Sequence, residues 1–240
     1  MGRIVAIAGG DLSSTRPLNQ HAIQLSGKSK PNVLFIGTAS HDAAGYIESI
    51  AREFAFLGCN VKALCLANGN CGDCEMEMLL TWADVIYVGG GDTVFMMQTW
   101  KRFGLDERLK RIYAQDAAVL TGLSVGAICW FRCGHSDSGA FQRAENWNYC
   151  WAEGMLDIVP MAYCPHYNEE GRDTFDAMLR QKDVPGLAME NDTAFVSDNG
   201  EQYFIRSAPA ANAYFIQYKD GLMEKKEVTF RPLDAPLEKR

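Results

Sequence analysis

The 240-residue sequence predicts an α/β fold: a three-layer sandwich with a mostly parallel sheet and helices on both faces. Three observations carry this prediction. Short, continuously apolar runs recur through the first half of the chain, as strands buried on both faces require. Amphipathic stretches of helical length separate them. The runs end in turns rich in glycine or serine, where strands feed helices and where open α/β sheets place their chemistry.

The elements follow in order. Ile4 to Ala8 reads as a strand ending at Gly9-Gly10, and Val33 to Thr38 as a second strand ending at Ala39-Ser40. Ala44 to Leu57 carries Ile47, Ile50, Ala51, Phe54 and Leu57 on one stripe, the spacing of a helix with one buried face. Val61 to Leu66 is a strand, Glu75 to Trp82 a helix, and Val85 to Val88 a strand closed by Gly89-Gly90-Gly91. Helices are predicted over 93–103 and 106–115. Ala117 to Leu120 is then a strand that meets Gly122-Leu123-Ser124-Val125-Gly126 and a further apolar helical stretch. The second half is less regular. His135 to Trp151, with Trp147 and Tyr149, reads as a long loop of the kind that is often functional. Strands are predicted at 161–164, 186–190, 194–197 and within 203–217, a helix over 173–179, and an edge hairpin with a frayed end over 219–240. No repeat or linker divides the chain, so residues 1–240 are expected to form one domain.

Composition narrows the function classes. The net charge of −7 gives no basic footprint for nucleic acid. No run of about 18 apolar residues is present to span a membrane. The N-terminus reads as a strand and its turn instead of a signal peptide, so the eight cysteines are expected as reduced thiols in the cytoplasm. Cys71-Gly72-Asp73-Cys74 lacks the second pair that a zinc site needs, and Cys129 and Cys164 sit among apolar residues as small hydrophobes.

The serine turn carries the chemistry. A serine at the apex of a strand–turn–helix, with glycine two residues to either side, is held in a strained backbone conformation that pushes its hydroxyl out of the sheet edge. Such a nucleophile needs a base, and the base needs an orienting group. Of the four histidines, His166 stands at a strand end behind Pro165 and is favoured over His135. His41 lies just after the second strand, and His21 reads as a surface residue. Asp137, between two serines in the loop, and Glu190, at a strand end after His166, are equal candidates for the orienting acid. Glu169 and Glu170 read as solvated charges at a helix start. The Gly89-Gly90-Gly91-Asp92 turn suits an oxyanion hole shared with the Val125 amide, with Asp92 also placed to cap the following helix.

With these residues in place, the chain resembles the peptidase E family of serine peptidases, related to cyanophycinases. The likeness runs through Phe35 to Ser40, Gly89 to Thr93, Gly122 to Ala127, Gly134 to Ser138, Pro165 to Asn168 and Glu190 to Ala194. It implies the class I glutamine amidotransferase-like (flavodoxin-like) fold, Ser124 as nucleophile and His166 as base. It also implies an oxyanion bound near Gly90, Gly91 and Val125. Its aspartyl dipeptidases point to Asp137 as the acid and its cyanophycinases to Glu190. The activity implied is removal of an N-terminal aspartate from small peptides, without metal or cofactor. The aspartate carboxylate calls for a guanidinium, and Arg172 and Arg180 are the candidates. Two positions depart from the family pattern: Val125 where alanine is usual, and Asp92 where asparagine is usual. Both put aspartyl specificity in doubt. The alternatives are a ligand-binding module that keeps the fold without catalysis, and an amidotransferase-like hydrolase, which would want cysteine in place of Ser124. Trp147 and Trp151 would serve a homodimer contact as well as a substrate lid.

Overall fold

The computed structural model describes residues 2–142 and 148–235. The first half alternates strand and helix: β1 (Arg3–Ile7), α1 (Arg16–Leu25), β2 (Asn32–Ile36), α2 (Ala44–Phe56), β3 (Asn60–Leu64), α3 (Asp73–Trp82), β4 (Val85–Val88), α4 (Thr93–Phe103), α5 (Leu105–Ala114) and β5 (Val119–Leu123). A short α6 (Val125–Ile128) leads to β6 (Phe131–Ser136), α7 (Ser138–Gln142), β7 (Cys150–Ala152), β8 (Val159–Cys164), α8 (Thr174–Leu179) and β9 (Gly186–Met189). Four strands complete the chain: β10 (Thr193–Asp198), β11 (Glu201–Arg206), β12 (Ala213–Lys219) and β13 (Leu222–Glu227).

Strands β1 to β5 pair in parallel, and β10 and β11 add antiparallel, in the order β11-β10-β1-β5-β4-β2-β3. The period of two sorts each strand's side chains between two cores. Val5, Ile7, Val33, Phe35 and Tyr87 point toward α1 and α2, where they meet Leu18, Ala22, Ile50 and Phe54. Ile4, Ala6, Leu34, Ile36 and Leu120 point the other way, to Met76, Met96, Trp100 and Leu109 of α3, α4 and α5. Both faces are dry, so the strands read as unbroken apolar runs. The expected three-layer α/β sandwich is present.

A second sheet, unforeseen as such, has the order β13-β12-β9-β8-β6-β7. Its Phe131, Tyr163, Leu187, Met189 and Ala213 join the same core as α3 to α5, while its outer face packs Cys164, Ala188 and Ile216 against Phe175 and Leu179. In the segment read as a long loop, the described residues are largely structured. His135 and Ser136 end β6, and Cys150 to Ala152 pair with them as β7. A buried polar strand gives no apolar signal, and only pairing with β7 and β8 makes it a strand. Trp151, read as exposed, is partly covered by Phe175 and Lys182. Trp147 lies outside the described residues, as does the 236–240 end of the tail. The β12–β13 hairpin does form, turning at Asp220-Gly221, where both residues have positive φ (52° and 77°).

His21 is buried and hydrogen-bonds Tyr203 at 2.9 Å, contrary to its reading as a surface residue. Burial lowers its pKa from 6.5 to about 4, and burial lowers that of His135 to about 3. Both are neutral in the folded chain, whereas the unfolded chain protonates them near 6.5. The unfolded state therefore binds more protons below pH 6.5, and stability falls as pH drops from there toward 4. Urea unfolding at pH 7 and pH 5 is expected to show a lower midpoint at pH 5, and replacing His21 with Gln is expected to flatten that difference.

Candidate active site

The site forms where the two sheets meet. Chain leaving β5 makes a sharp turn at Ser124, whose φ of 58° and ψ of −113° are unfavourable for any residue with a side chain. The neighbouring glycines explain how the turn closes. A Cβ on Gly122 would lie 2.4 Å from the Gly126 carbonyl oxygen, and one on Gly126 would lie 2.0 Å from that of Val88. Ser124 then stands at the N-terminus of α6, its carbonyl accepting from the Ala127 and Ile128 amides at 2.8 and 2.9 Å. Val125 turns its branched side chain into the core, and its amide, first in α6, has no acceptor within the helix.

His166 comes from the other sheet, in the turn after β8. Its Nε2 is 2.8 Å from Ser124 Oγ. Its Nδ1 lies 2.7 Å from Asn191 Oδ1 and 3.1 Å from Glu169 Oε1. The Asn191 amide nitrogen donates to that same Glu169 oxygen at 3.0 Å, which fixes the amide with its oxygen toward the imidazole. Asn191 Oδ1 only accepts, so the proton sits on Nδ1 and Nε2 is free to accept from the serine hydroxyl. Burial holds the His166 pKa below the ordinary 6.5, with the Glu169 carboxylate pulling the other way. The imidazole is therefore neutral at pH 7, the state a base requires.

Gly9, at the end of β1, makes room for this group. A Cβ there would lie 2.0 Å from Asn191 Oδ1 and 2.3 Å from His166 Nδ1. Gly90 faces Ser124 closely enough that its Cβ would be 3.5 Å from the serine Cβ. Gly91 has a φ of 141°, and a Cβ on it would strike the Ala39 carbonyl at 2.2 Å. Asp92 caps α4, accepting from the Val94 and Phe95 amides at 2.9 and 3.2 Å.

Sequence reasoning chose the serine and the histidine that the structure brings together, and chose neither group that meets the far nitrogen of the imidazole. Glu190 points away: its carboxylate accepts from the Asn212 amide at 2.8 Å. Asn191, one position on in the turn between β9 and β10, reaches the histidine instead. Asp137 lies 3.8 Å from Arg172. Glu169, three residues after His166, meets it across a non-helical turn in which His166 has a φ of 55°, so no periodic signal marked the pair. Arg180 is exposed at the end of α8, its guanidinium near Gly221 of the hairpin turn. Arg172 is buried. Among the described residues no group of three or more His, Cys, Asp or Glu is arranged to hold a metal ion.

A strained serine at a strand–turn–helix, bonded to a histidine that a third group orients, on an α/β sheet, defines the class of serine hydrolases. Within it the chain belongs to peptidase family S51, whose model matches residues 4–205, and it is a serine-type peptidase. The uncharacterized peptidase YgaJ of Bacillus subtilis is 30% identical over 244 residues, 97% of each chain. The uncharacterized peptidase Lmo0363 of Listeria monocytogenes is 31% identical over 182 residues, 72% of this chain and 82% of its own. The crystal structure of a peptidase from an acI-B1 Actinobacterium shares the fold, with a TM-score of 0.71 at 17% identity over 96% of this chain and 95% of that one.

Gly9→Ala is expected to separate His166 from Asn191 and to cut kcat/KM at least about a hundredfold. The fold should survive, because the collision is confined to side chains of the site. Circular dichroism beside a peptidase assay checks both statements.

Proposed function

We propose that the protein hydrolyses short peptides through an acyl-enzyme on Ser124. The 2.8 Å contact between Ser124 Oγ and His166 Nε2 is the observation that carries this reading. Ser124 attacks the scissile carbonyl while His166 takes its proton. The resulting imidazolium is held by Asn191 Oδ1 and by the Glu169 carboxylate, which place a neutral acceptor and a charge beside Nδ1. His166 then gives the proton to the leaving amine, and water repeats the sequence to release the acid. The Val125 and Gly91 amides are suited to bind the oxyanion, each such donor contributing on the order of a hundredfold in rate, whereas the Gly90 amide donates to the Tyr46 hydroxyl at 3.4 Å. The strained Ser124 backbone favours catalysis over a binding module, since such strain costs about 1–3 kcal/mol and clusters at functional sites. An amidotransferase-type reaction is disfavoured by the oxygen nucleophile.

Ser124→Ala is expected to lower peptide hydrolysis about ten-thousandfold or more. It should also abolish labelling by a serine-directed fluorophosphonate. A mutant that keeps full activity would refute the proposal.

The pH profile tests the role of Glu169. Activity should rise with pH as His166 deprotonates, with the acidic limb of kcat/KM below pH 6.5. Removing the Glu169 charge takes away the interaction that raises the His166 pKa. Glu169→Gln should therefore move that limb to lower pH and reduce kcat, because the imidazolium loses its counter-charge. A limb that stays in place would exclude an electrostatic role for Glu169.

A further inference from the structure

The peptidase reading leaves open which side chain the substrate carries at its N-terminus, and the charges near His166 bear on this. Three ionised groups act on the imidazole: the Glu169 and Asp137 carboxylates, which favour its protonation, and the Arg172 guanidinium, which opposes it. Their accessibility differs sharply. The Glu169 and Asp137 side chains are 49% and 35% exposed, whereas that of Arg172 is 4% exposed.

Arg172 is sealed by its own neighbours. Its guanidinium lies over the Tyr149 ring at 4.3 Å, and Nη1 donates to the His135 carbonyl at 2.8 Å. Nη2 is 3.8 Å from the Asp137 carboxylate, and Nε is buried without a hydrogen-bond partner among the described residues. A substrate carboxylate would have to displace Tyr149 and compete with Asp137 to reach it. Asp137 is itself held in place. Ser136 and Ser138 on either side are fully buried, their hydroxyls 2.9 Å apart, and Thr93 of α4 bonds both.

We propose that this peptidase selects short peptides whose N-terminal side chain is neutral or basic and discriminates against aspartate and glutamate, with Asp137 as the specificity-determining residue. This rests on the peptidase reading and departs from the aspartyl preference that the family resemblance implies. Asp137 acts in two ways. It occupies the cation that an acidic side chain would need, and it offers a half-exposed carboxylate that repels such a side chain. The substrate's α-ammonium, and a lysine or arginine side chain, would be attracted by Asp137 and Glu169 together.

The test is kcat/KM for Ala-Leu, Arg-Leu and Asp-Leu with the full chain and with Asp137→Asn, at about 0.02 M and about 1 M salt. Ala-Leu and Arg-Leu are expected to exceed Asp-Leu by about tenfold or more at low salt, with the gap narrowing at high salt. Asp137→Asn is expected to raise Asp-Leu relative to Ala-Leu. Asp-Leu cleaved as well as Ala-Leu, or a ratio unmoved in Asp137→Asn, would overturn the proposal. If the variant does not fold, the native series and its salt dependence decide alone. Absence of cleavage of all three overturns this inference, and fluorophosphonate labelling of Ser124 then tells whether the peptidase reading itself survives.

Discussion

The hydrogen bond between Ser124 and His166 joins the ends of two different sheets, and its 2.8 Å length depends on how those sheets pack. Ser124 is set by β5 in the central sheet and His166 by β8 in the second. What holds the sheets in register is the shared core. Phe131 stacks on Tyr163 at 4.2 Å within the second sheet and meets Phe195 of the central sheet at 5.8 Å. Interiors this dense do not deform gradually, so a shift of either sheet would be felt at the catalytic contact. The chain between β9 and β10 crosses from one sheet to the other and carries Asn191 at the crossing. Backbone bonds tie it on both sides: Tyr167 to Met189 at 2.9 Å, Glu190 to Asn212 at 3.0 Å, and Asp192 to Gly9 at 2.9 Å. The residue that meets His166 Nδ1 is thus placed by the crossover itself.

Close backbone approach is the second constraint. Gly9, Gly91, Gly122 and Gly126 each stand where a Cβ would come within 2.4 Å of another atom. At Gly91, Gly122 and Gly126 the obstructing atoms are backbone, so strand ends converge where a side chain would otherwise be; at Gly9 they are the Asn191 and His166 side chains. The polar groups so enclosed are satisfied locally. Asp92 caps α4, and the Thr93, Ser136 and Ser138 hydroxyls bind one another and the Thr93 amide. A network closed in this way is rigid and specific in place. It fixes the start of α7 against α4, and with it the outward direction of Asp137.

One electrostatic effect serves two purposes. Desolvation lowers the pKa of His21, His135 and His166 alike. At His21 and His135 it is a stability cost that appears on acidification. At His166 it keeps the imidazole neutral and able to accept a proton, with the Glu169 carboxylate acting in the opposite direction.

The sequence by itself determined the parallel sheet, the serine turn and the histidine at a later strand end. Those features are local: apolar runs follow from burial on both faces, and Gly122-Leu123-Ser124-Val125-Gly126 follows from the collisions a side chain would cause. The expected edge hairpin within 219–240 forms as β12 and β13, joined at Asp220-Gly221 by two residues of positive φ. Only the tertiary structure decided what lies beside Nδ1 of His166. Glu190 and Asn191 are neighbours in sequence, yet the turn between β9 and β10 sends one to the Asn212 amide and the other to the imidazole. The second sheet was hidden because its β6 strand ends in the buried polar residues Gly134, His135 and Ser136, which become a strand only through partners distant in sequence. The fate of Arg172 was hidden as well. A guanidinium looks available until Tyr149, His135 and Asp137 are brought around it, and long-range packing alone does that.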